Sequence, residues 1–190
     1  MIFVDNFDED TLSSGWINSS NGNPVNNDPS TSYSVTIANG EMKITTNPST
    51  GPIIKVQGSD DWENYTLETD VRIASEAKDN SRVEIRAYMS GSDATSIVLQ
   101  KSGDNIQVRR RIDGTISSVI DSLNGIFKTD QTYRARIEYY GNRLELFLND
   151  ILIYEQDGTT DKKGAVGFSM WDGAVAYLDN FTVRLSKQNF

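Results

Sequence analysis

Cysteine and histidine are both missing from the 190 residues. Their absence excludes thiol chemistry, a Ser-His triad, a histidine general base and a tetrahedral zinc site. A chain of this length buries roughly 70% of the surface its unfolded form exposes, so stability does not require disulfides. A cysteine-free chain suits a bacterial secreted protein that avoids mispaired thiols, although a cytosolic protein can equally lack them. Basic residues are also short, with 18 Lys and Arg against 27 Asp and Glu and a net charge of -9. That balance opposes nonspecific nucleic-acid binding, which needs a basic surface to neutralise phosphates. No apolar stretch approaches the ~20 residues that span a bilayer, and no charged start leads into an apolar signal core. Neither nucleic acid nor membrane is therefore expected as a partner, and a targeting signal is either absent or removed.

What is present is period-two alternation rich in Val, Ile, Thr and Tyr, with no ten-residue run of helical periodicity. Strands are expected at Tyr33–Ala38, Glu41–Thr46, Pro52–Gln57, Asn64–Ala74, Arg82–Met89, Ser96–Lys101, Ile106–Ile112 and Thr115–Asp121. Further strands are expected at Gln131–Tyr140, Arg143–Leu148, Ile151–Gln156, Ala165–Trp171 and Val175–Leu185. Asn39-Gly40, Asp113-Gly114, Asn149-Asp150 and Asp172-Gly173 supply the positive φ that tight hairpins need. Many short strands with hairpin turns imply an all-β, two-sheet antiparallel sandwich forming one domain over residues 1–190. The stretch Asp10–Ser32, rich in Asn, Ser, Gly and Pro, reads as a surface loop or lid too polar to build core of its own.

Alternation sends Val83, Ile85, Ala87 and Met89 to the core and Arg82, Glu84, Arg86 and Tyr88 to the opposite face. The same rule places Gln107, Arg109 and Arg111 outward, together with Val98 and Gln100. If the short connections make these strands neighbours, an acidic chain gathers its arginines on one sheet face. Guanidinium groups pair carboxylates bidentately, and Tyr and Gln add stacking and neutral hydrogen bonds, a combination suited to a sugar that carries carboxylates. The competing reading is cross-strand pairing of Glu84 with Arg82, Arg86 and Arg109, worth only ~0.2–1 kcal/mol per pair on a solvated sheet.

Trp16 and Trp62 read as core or edge packing, whereas Trp171 points outward beside the Asp172-Gly173 turn, where it can stack on a sugar or lie beneath the 10–32 loop. Tyr140 and Phe147 also read as outward.

The two ends carry matching signatures, Val4-Asp5-Asn6-Phe7-Asp8 before Gly15-Trp16 and Leu178-Asp179-Asn180-Phe181-Thr182-Val183. Between them come Ala38-Asn39-Gly40-Glu41-Met42, Trp62-Glu63-Asn64-Tyr65-Thr66-Leu67-Glu68, Tyr133-Arg134-Ala135-Arg136-Ile137, Gly141-Asn142-Arg143-Leu144 and Gly164-Ala165-Val166-Gly167-Phe168. In this order, over nearly the whole chain, they resemble the concanavalin A-like jelly roll of laminin-G-like modules, family 16 glycoside hydrolases and bacterial carbohydrate-binding modules. The resemblance implies a sandwich closed by its termini and a structural Ca2+ held by Asp179, the Gly40 carbonyl and Asp5 or a neighbour. Calcium's preference for six to eight hard oxygen ligands agrees with that set; the alternative is that Asp5 and Asp179 cap or bulge the strands without metal.

Family 16 hydrolases carry Glu-x-Asp-x-x-Glu on one strand, since retaining hydrolysis needs two carboxyls about 5–5.5 Å apart. Here Glu68-Thr69-Asp70-Val71-Arg72-Ile73 puts isoleucine where the last acid belongs, which argues against that hydrolysis. Arg82-x-Glu84-x-Arg86 is similar to the Arg-x-Glu-Leu-Arg segment of jelly-roll alginate lyases, where it helps bind uronate, but the histidine of those enzymes is absent.

The leading expectation is a noncatalytic carbohydrate-binding module, secreted or at the cell surface and attached to other domains of a larger protein, with Met1 directly before its first strand. Its partner would be a polysaccharide, preferably anionic, held by Arg82, Glu84, Arg86, Tyr88, Gln100, Arg109, Arg111 and Trp171. Two alternatives stand beside it. One is a polysaccharide lyase using Tyr88 or Tyr140 as base next to Arg86; the other is a structural or adhesive module without a sugar site.

Overall fold

Alternation along the chain resolves into two antiparallel sheets in a computed structural model, which describes residues 2–9, 12–25, 32–49, 51–91, 93–158 and 163–186, with backbone alone at 117–122 and 124. The strands are β1 (Phe3–Asp5), β2 (Trp16–Asn18), β3 (Tyr33–Ala38), β4 (Glu41–Thr46), β5 (Ile53–Val56), β6 (Tyr65–Ile73), β7 (Arg82–Ser90) and β8 (Asp93–Gln100). They continue with β9 (Asn105–Ile112), β10 (Thr115–Asn124), β11 (Tyr133–Tyr140), β12 (Arg143–Leu148), β13 (Ile151–Asp157), β14 (Ala165–Trp171) and β15 (Val175–Leu185). The first sheet runs β13-β12-β11-β6-β15-β4-β3 with β1 beside β15; the second runs β10-β9-β8-β7-β14-β5-β2. Every expected strand is present within a few residues, and the three-residue strands β1 and β2 are additions too short for periodicity to register.

The two ends of the chain do meet: β1 pairs antiparallel with β15, Phe3 opposite Val183 and Asp5 opposite Phe181. Their aromatics converge on Trp16, which is fully buried with ring centroids of Phe3, Phe168 and Phe181 at 5.5, 5.4 and 4.8 Å. Asp5 serves this cluster. Its carboxylate accepts the Trp16 indole N–H at 2.8 Å, the Ser13 hydroxyl at 2.8 Å and the Phe7 backbone N–H at 3.0 Å. A buried indole needs such an acceptor. The 10–32 stretch therefore supplies core after all, with Trp16, Ile17 and Val25 buried; its residues 10, 11 and 26–31 lie outside the described set.

Strand β7, which carries the expected arginine face, departs from strict alternation near its end. The β7–β8 register shifts between Ala87 and Ser90, and Tyr88 has φ 53°. Such a bulge inserts one residue and reverses the parity beyond it. Tyr88 thus turns inward, contrary to expectation, and its ring stacks on Tyr65 at 4.4 Å and 15°. The bulged N–H of Tyr88, which the ladder cannot satisfy, donates to the Tyr65 hydroxyl at 2.7 Å, while the Tyr88 hydroxyl donates to the Tyr65 carbonyl at 2.9 Å. Gly164 fits against the bulge because a Cβ there would stand 2.6 Å from the Tyr88 carbonyl carbon. Met89 correspondingly leaves the main core and joins Ala94 and Ala165 in a small separate cluster.

Candidate functional site on the outer face of the second sheet

Cross-strand register assembles the polar face as alternation implied. Arg82 lies opposite Gln100, Glu84 opposite Val98, Arg86 opposite Ser96; Val98 then faces Gln107, Ser96 faces Arg109 and Ala94 faces Arg111. On the other flank β14 sets Trp171, Ser169 and Gly167 against Arg82, Glu84 and Arg86.

These residues do not form one uniform charged patch. Glu84, 5% exposed, accepts a hydrogen bond from Arg109 Nη1 at 3.2 Å and forms an ion pair with Arg82 Nε at 3.8 Å, too long for a hydrogen bond. Arg109 Nε donates to Gln107 Oε1 at 2.9 Å, and the Arg82 guanidinium also lies 5.5 Å from the Trp171 ring centroid. Two arginines are therefore committed to the glutamate, out of the three that the cross-strand reading named. Arg86 and Arg111 are not. Arg86 is 3% exposed, its Nε buried and without a hydrogen-bond partner, and it opens with Arg111, Ser96 and Ile116 on a narrow cleft. Four guanidinium groups against one carboxylate leave an excess of three positive charges there, on a chain of net charge -9.

That excess has an electrostatic cost. Burial lowers the Arg86 guanidinium from its ordinary range, Glu84 counteracts the shift and Arg111 adds to it. Burial also lowers Arg109, again opposed by Glu84. An anion entering between Arg86 and Arg111 would relieve both effects. Guanidinium groups so placed have the donor geometry that pairs bidentately with a carboxylate or sulfate, and Glu84, which lines the same cleft, offsets part of their charge.

Gln100 sits at the rim beside Arg82. Trp171 is half-buried, its indole N–H donating to Ser169 Oγ at 3.3 Å. Tyr88 is not in the site at all. Ser96 and Ser169, which add hydroxyls beside Arg86 and Glu84, were overlooked because small residues carry no sequence signal beyond their parity.

The lyase alternative loses its base. Burial raises the Tyr88 hydroxyl far above its usual range and places it on the inner face. Tyr140 lies on the first sheet, its hydroxyl donating to Glu145 at 3.2 Å, so neither tyrosine stands beside Arg86. Glu68 and Asp70 are also on the first sheet. Arg134 holds Asp70 at 3.1 Å and Arg184 holds Glu68 at 3.6 Å, while Ile73 is buried in the core.

At the other candidate centre, Asp179 rather than Asp5 occupies the acidic environment. Burial raises the Asp179 carboxyl, hydrogen bonding by the Asn180 N–H lowers it, and Asp70, Glu41 and Asp8 push it up further. Asp8 Oδ1 is 3.8 Å from where a Gly40 Cβ would stand. Asn180 has φ 50° at a register shift of β15, so Asp179 does border a bulge. Among the described residues no three acidic side chains converge to hold a metal unaided; a hard cation here would need backbone carbonyls as well.

Topology and register define a concanavalin A-like jelly-roll sandwich. The family model of the 3-keto-alpha-glucoside-1,2-lyase-like domain matches residues 3–184, and the chain belongs to that family. Among solved structures it is similar to the carbohydrate-binding module CBM66 from Bacillus subtilis, with a TM-score of 0.67 and 17% identity over 90% of this chain and 96% of that one. It is also similar to the Bacillus licheniformis beta-glucanase, with a TM-score of 0.70 and 16% identity over 98% of each chain. A structure from work on endo-acting O-glycanases of the human gut microbiota gives a TM-score of 0.73 at 10% identity, over 98% of this chain and 99% of that one. At such identities the likeness is one of fold. No curated protein matches the chain.

Proposed function

We propose that the protein binds glycans on the outer face of its second sheet and prefers those carrying carboxylate or sulfate groups. The observation that carries this reading is the pair Arg86 and Arg111, which have no ion-pair or hydrogen-bond partner among the described residues, beside a Glu84 already ion-paired with Arg82 and Arg109. The fold shared with CBM66 and the glucanase supports a carbohydrate ligand, and such a ligand supports a secreted or surface location. A glycan array followed by titration tests it. Arg86→Ala and Arg111→Ala should each weaken binding to an acidic polysaccharide by about 10- to 100-fold, the equivalent of a charge-assisted contact of about 1.5–3 kcal/mol. Added salt should weaken it too. Tight binding of a neutral glycan that ignores both substitutions and salt would place the site elsewhere.

Family membership favours a second reading, elimination on a 3-keto-α-glucoside. A C3 ketone acidifies the C2–H; a base removes that proton, C1–O breaks, and the electrons form the C1–C2 double bond of an enone. Glu84 is the carboxylate on the arginine face placed to accept the proton, with Arg86 or Arg111 facing the developing enolate oxygen. Enone absorbance that develops with a 3-keto glucoside and disappears in Glu84→Gln would make the protein a lyase. Simple binding without turnover leaves it a binding module.

We also propose a structural calcium beside Asp179. The donor set fits in part: Asp179 and Asp8 supply carboxylates and Gly40 its carbonyl, whereas the carboxylate of Asp5 is already taken by three protein donors. Calcium there would supply only charge neutralisation and bridging. Because the folded carboxyl titrates above its unfolded value, the contribution of Asp179 to metal-free stability should fall as pH rises from its unfolded value toward its higher folded one. Asp179→Asn should therefore stabilise the metal-free protein at neutral pH. It should also abolish the calcium-induced stabilisation, read as a rise in melting temperature and worth about 2.7 kcal/mol for native protein at 100 times the dissociation constant. Identical melting of the native chain in chelator and in calcium would remove the proposal.

A further inference from the structure

We infer that the binding face continues past Trp171 into the cleft at the end of the second sheet, so that the ligand is an oligosaccharide several residues long rather than a single charged sugar. The inference rests on the glycan reading of the arginine face and assigns the length and polarity of what it holds.

The cleft is lined by Pro48, Ser49, Lys78, Asp79, Asn80 and Asp172. Its walls come from the connections that cross between the sheets at this end, through residues 47–49, 74–81 and 172–174. Residues 74–81 are tied down from several sides. Lys78 N–H donates to the Gly173 carbonyl at 3.2 Å, Ser81 N–H to the Lys78 carbonyl at 3.0 Å, and the Lys101 ammonium reaches the carbonyls of Ser75 and Ala77 at 2.8 and 2.6 Å. Position 173 must be small, since a Cβ there would lie 2.9 Å from Lys78 Cδ, and its φ of 74° suits glycine. A wall held this way loses little freedom when it binds.

The chemistry of the cleft differs from that of the arginine face. Carboxylates at Asp79 and Asp172, the Asn80 amide and the Ser49 hydroxyl offer acceptors and donors for sugar hydroxyls, with Lys78 as the lining cation. Such a surface repels a carboxylate and accepts neutral hydroxyls. The two regions are continuous along the chain: Asp172 follows Trp171, and Asn80 stands two residues before Arg82. Arg82 and Arg86, four positions apart on β7, already span about 13 Å, and Asn80 lies beyond Arg82, a track too long for one sugar ring. Trp171 and Arg82, packed together between the two regions, form the floor of the middle. The ligand thus lies along β7, an acidic group at Arg86 and Arg111 and hydroxyl-rich residues at the loop cleft.

The experiment is a length series of oligosaccharides carrying one terminal hexuronate followed by none to five neutral hexoses, from monomer to hexamer, titrated against the native chain, an Asn80→Ala/Asp172→Asn double variant and Arg111→Ala, with melting curves to confirm folding. Asp172→Asn keeps a residue that tolerates the φ of 63° there. Affinity should rise with length beyond the dimer. The double variant should lose about tenfold on the hexamer and nothing on the monomer, whereas Arg111→Ala should weaken every length. Equal affinity at all lengths, or a double variant that binds the hexamer like the native chain while Arg111→Ala still weakens it, overturns the extended track and leaves the arginine site standing. If Arg111→Ala changes nothing, or no oligomer binds, the arginine site falls and the track falls with it.

Discussion

Trp16→Ala should cost about 3–5 kcal/mol of stability, the range for deleting a large buried aromatic. Trp16 is fully buried, and its indole N–H is the partner of Asp5 Oδ2 at 2.8 Å. Truncation removes the packing of Phe3, Phe7, Phe168 and Phe181 around the ring. It also releases β1 from β2, so the strands contributed by the amino-terminal segment to both sheets lose their common anchor. Asp5→Asn should cost less, about 1.5–3 kcal/mol, because a charge-assisted acceptor becomes neutral while the ring stays. The double variant should fall short of the sum, since the two residues share one contact. Urea midpoints at unchanged slope measure all three. A loss below about 1 kcal/mol for Trp16→Ala would mean that the aromatic cluster does not hold the termini.

This anchor shows where reading the sequence succeeded and where it stopped. The acidic-aromatic signatures at the two ends indicated pairing of the termini, and β1 does lie on β15. Of the two acids in the first signature, Asp5 serves an indole, and its neighbour Asp8 is the one that approaches Gly40 and Asp179. Parity fixes which face a residue joins but not which of two acids three positions apart turns toward a given neighbour. The arginine face was legible because period two holds from Arg82 to Arg86. It failed at Tyr88, since a bulge leaves no mark in composition; what licenses it is the hydroxyl of Tyr65, 23 residues away, capping the bulged N–H. Nor can parity separate an arginine that pairs with Glu84 from one that does not. That division depends on the lateral order β9-β8-β7, which places Arg109 within reach of Glu84 across an intervening strand.

The same division predicts that neighbouring arginines respond in opposite ways. Arg109→Ala leaves Glu84 buried without its hydrogen-bonded partner, with the Arg82 ion pair at 3.8 Å and the charge of Arg86 as the remaining compensation. Removing one partner of a buried pair typically costs 3–5 kcal/mol, and because Arg109 retains some exposure the expected loss is about 3 kcal/mol. Arg111→Ala removes a charge that has no hydrogen-bond or ion-pair partner among the described residues and that opposes the buried Arg86. Its effect on stability should stay within about 0.5 kcal/mol, the ordinary range for a surface change, and should tend toward stabilisation. In binding the two reverse: Arg111→Ala loses the acidic glycan, while Arg109→Ala in its remaining folded fraction retains the Arg86–Arg111 couple. Denaturant unfolding paired with glycan titration reads both quantities from the same preparations. If Arg111→Ala destabilised the fold as much as Arg109→Ala, the face would be one structural charge network and its free guanidiniums would not be reserved for a ligand.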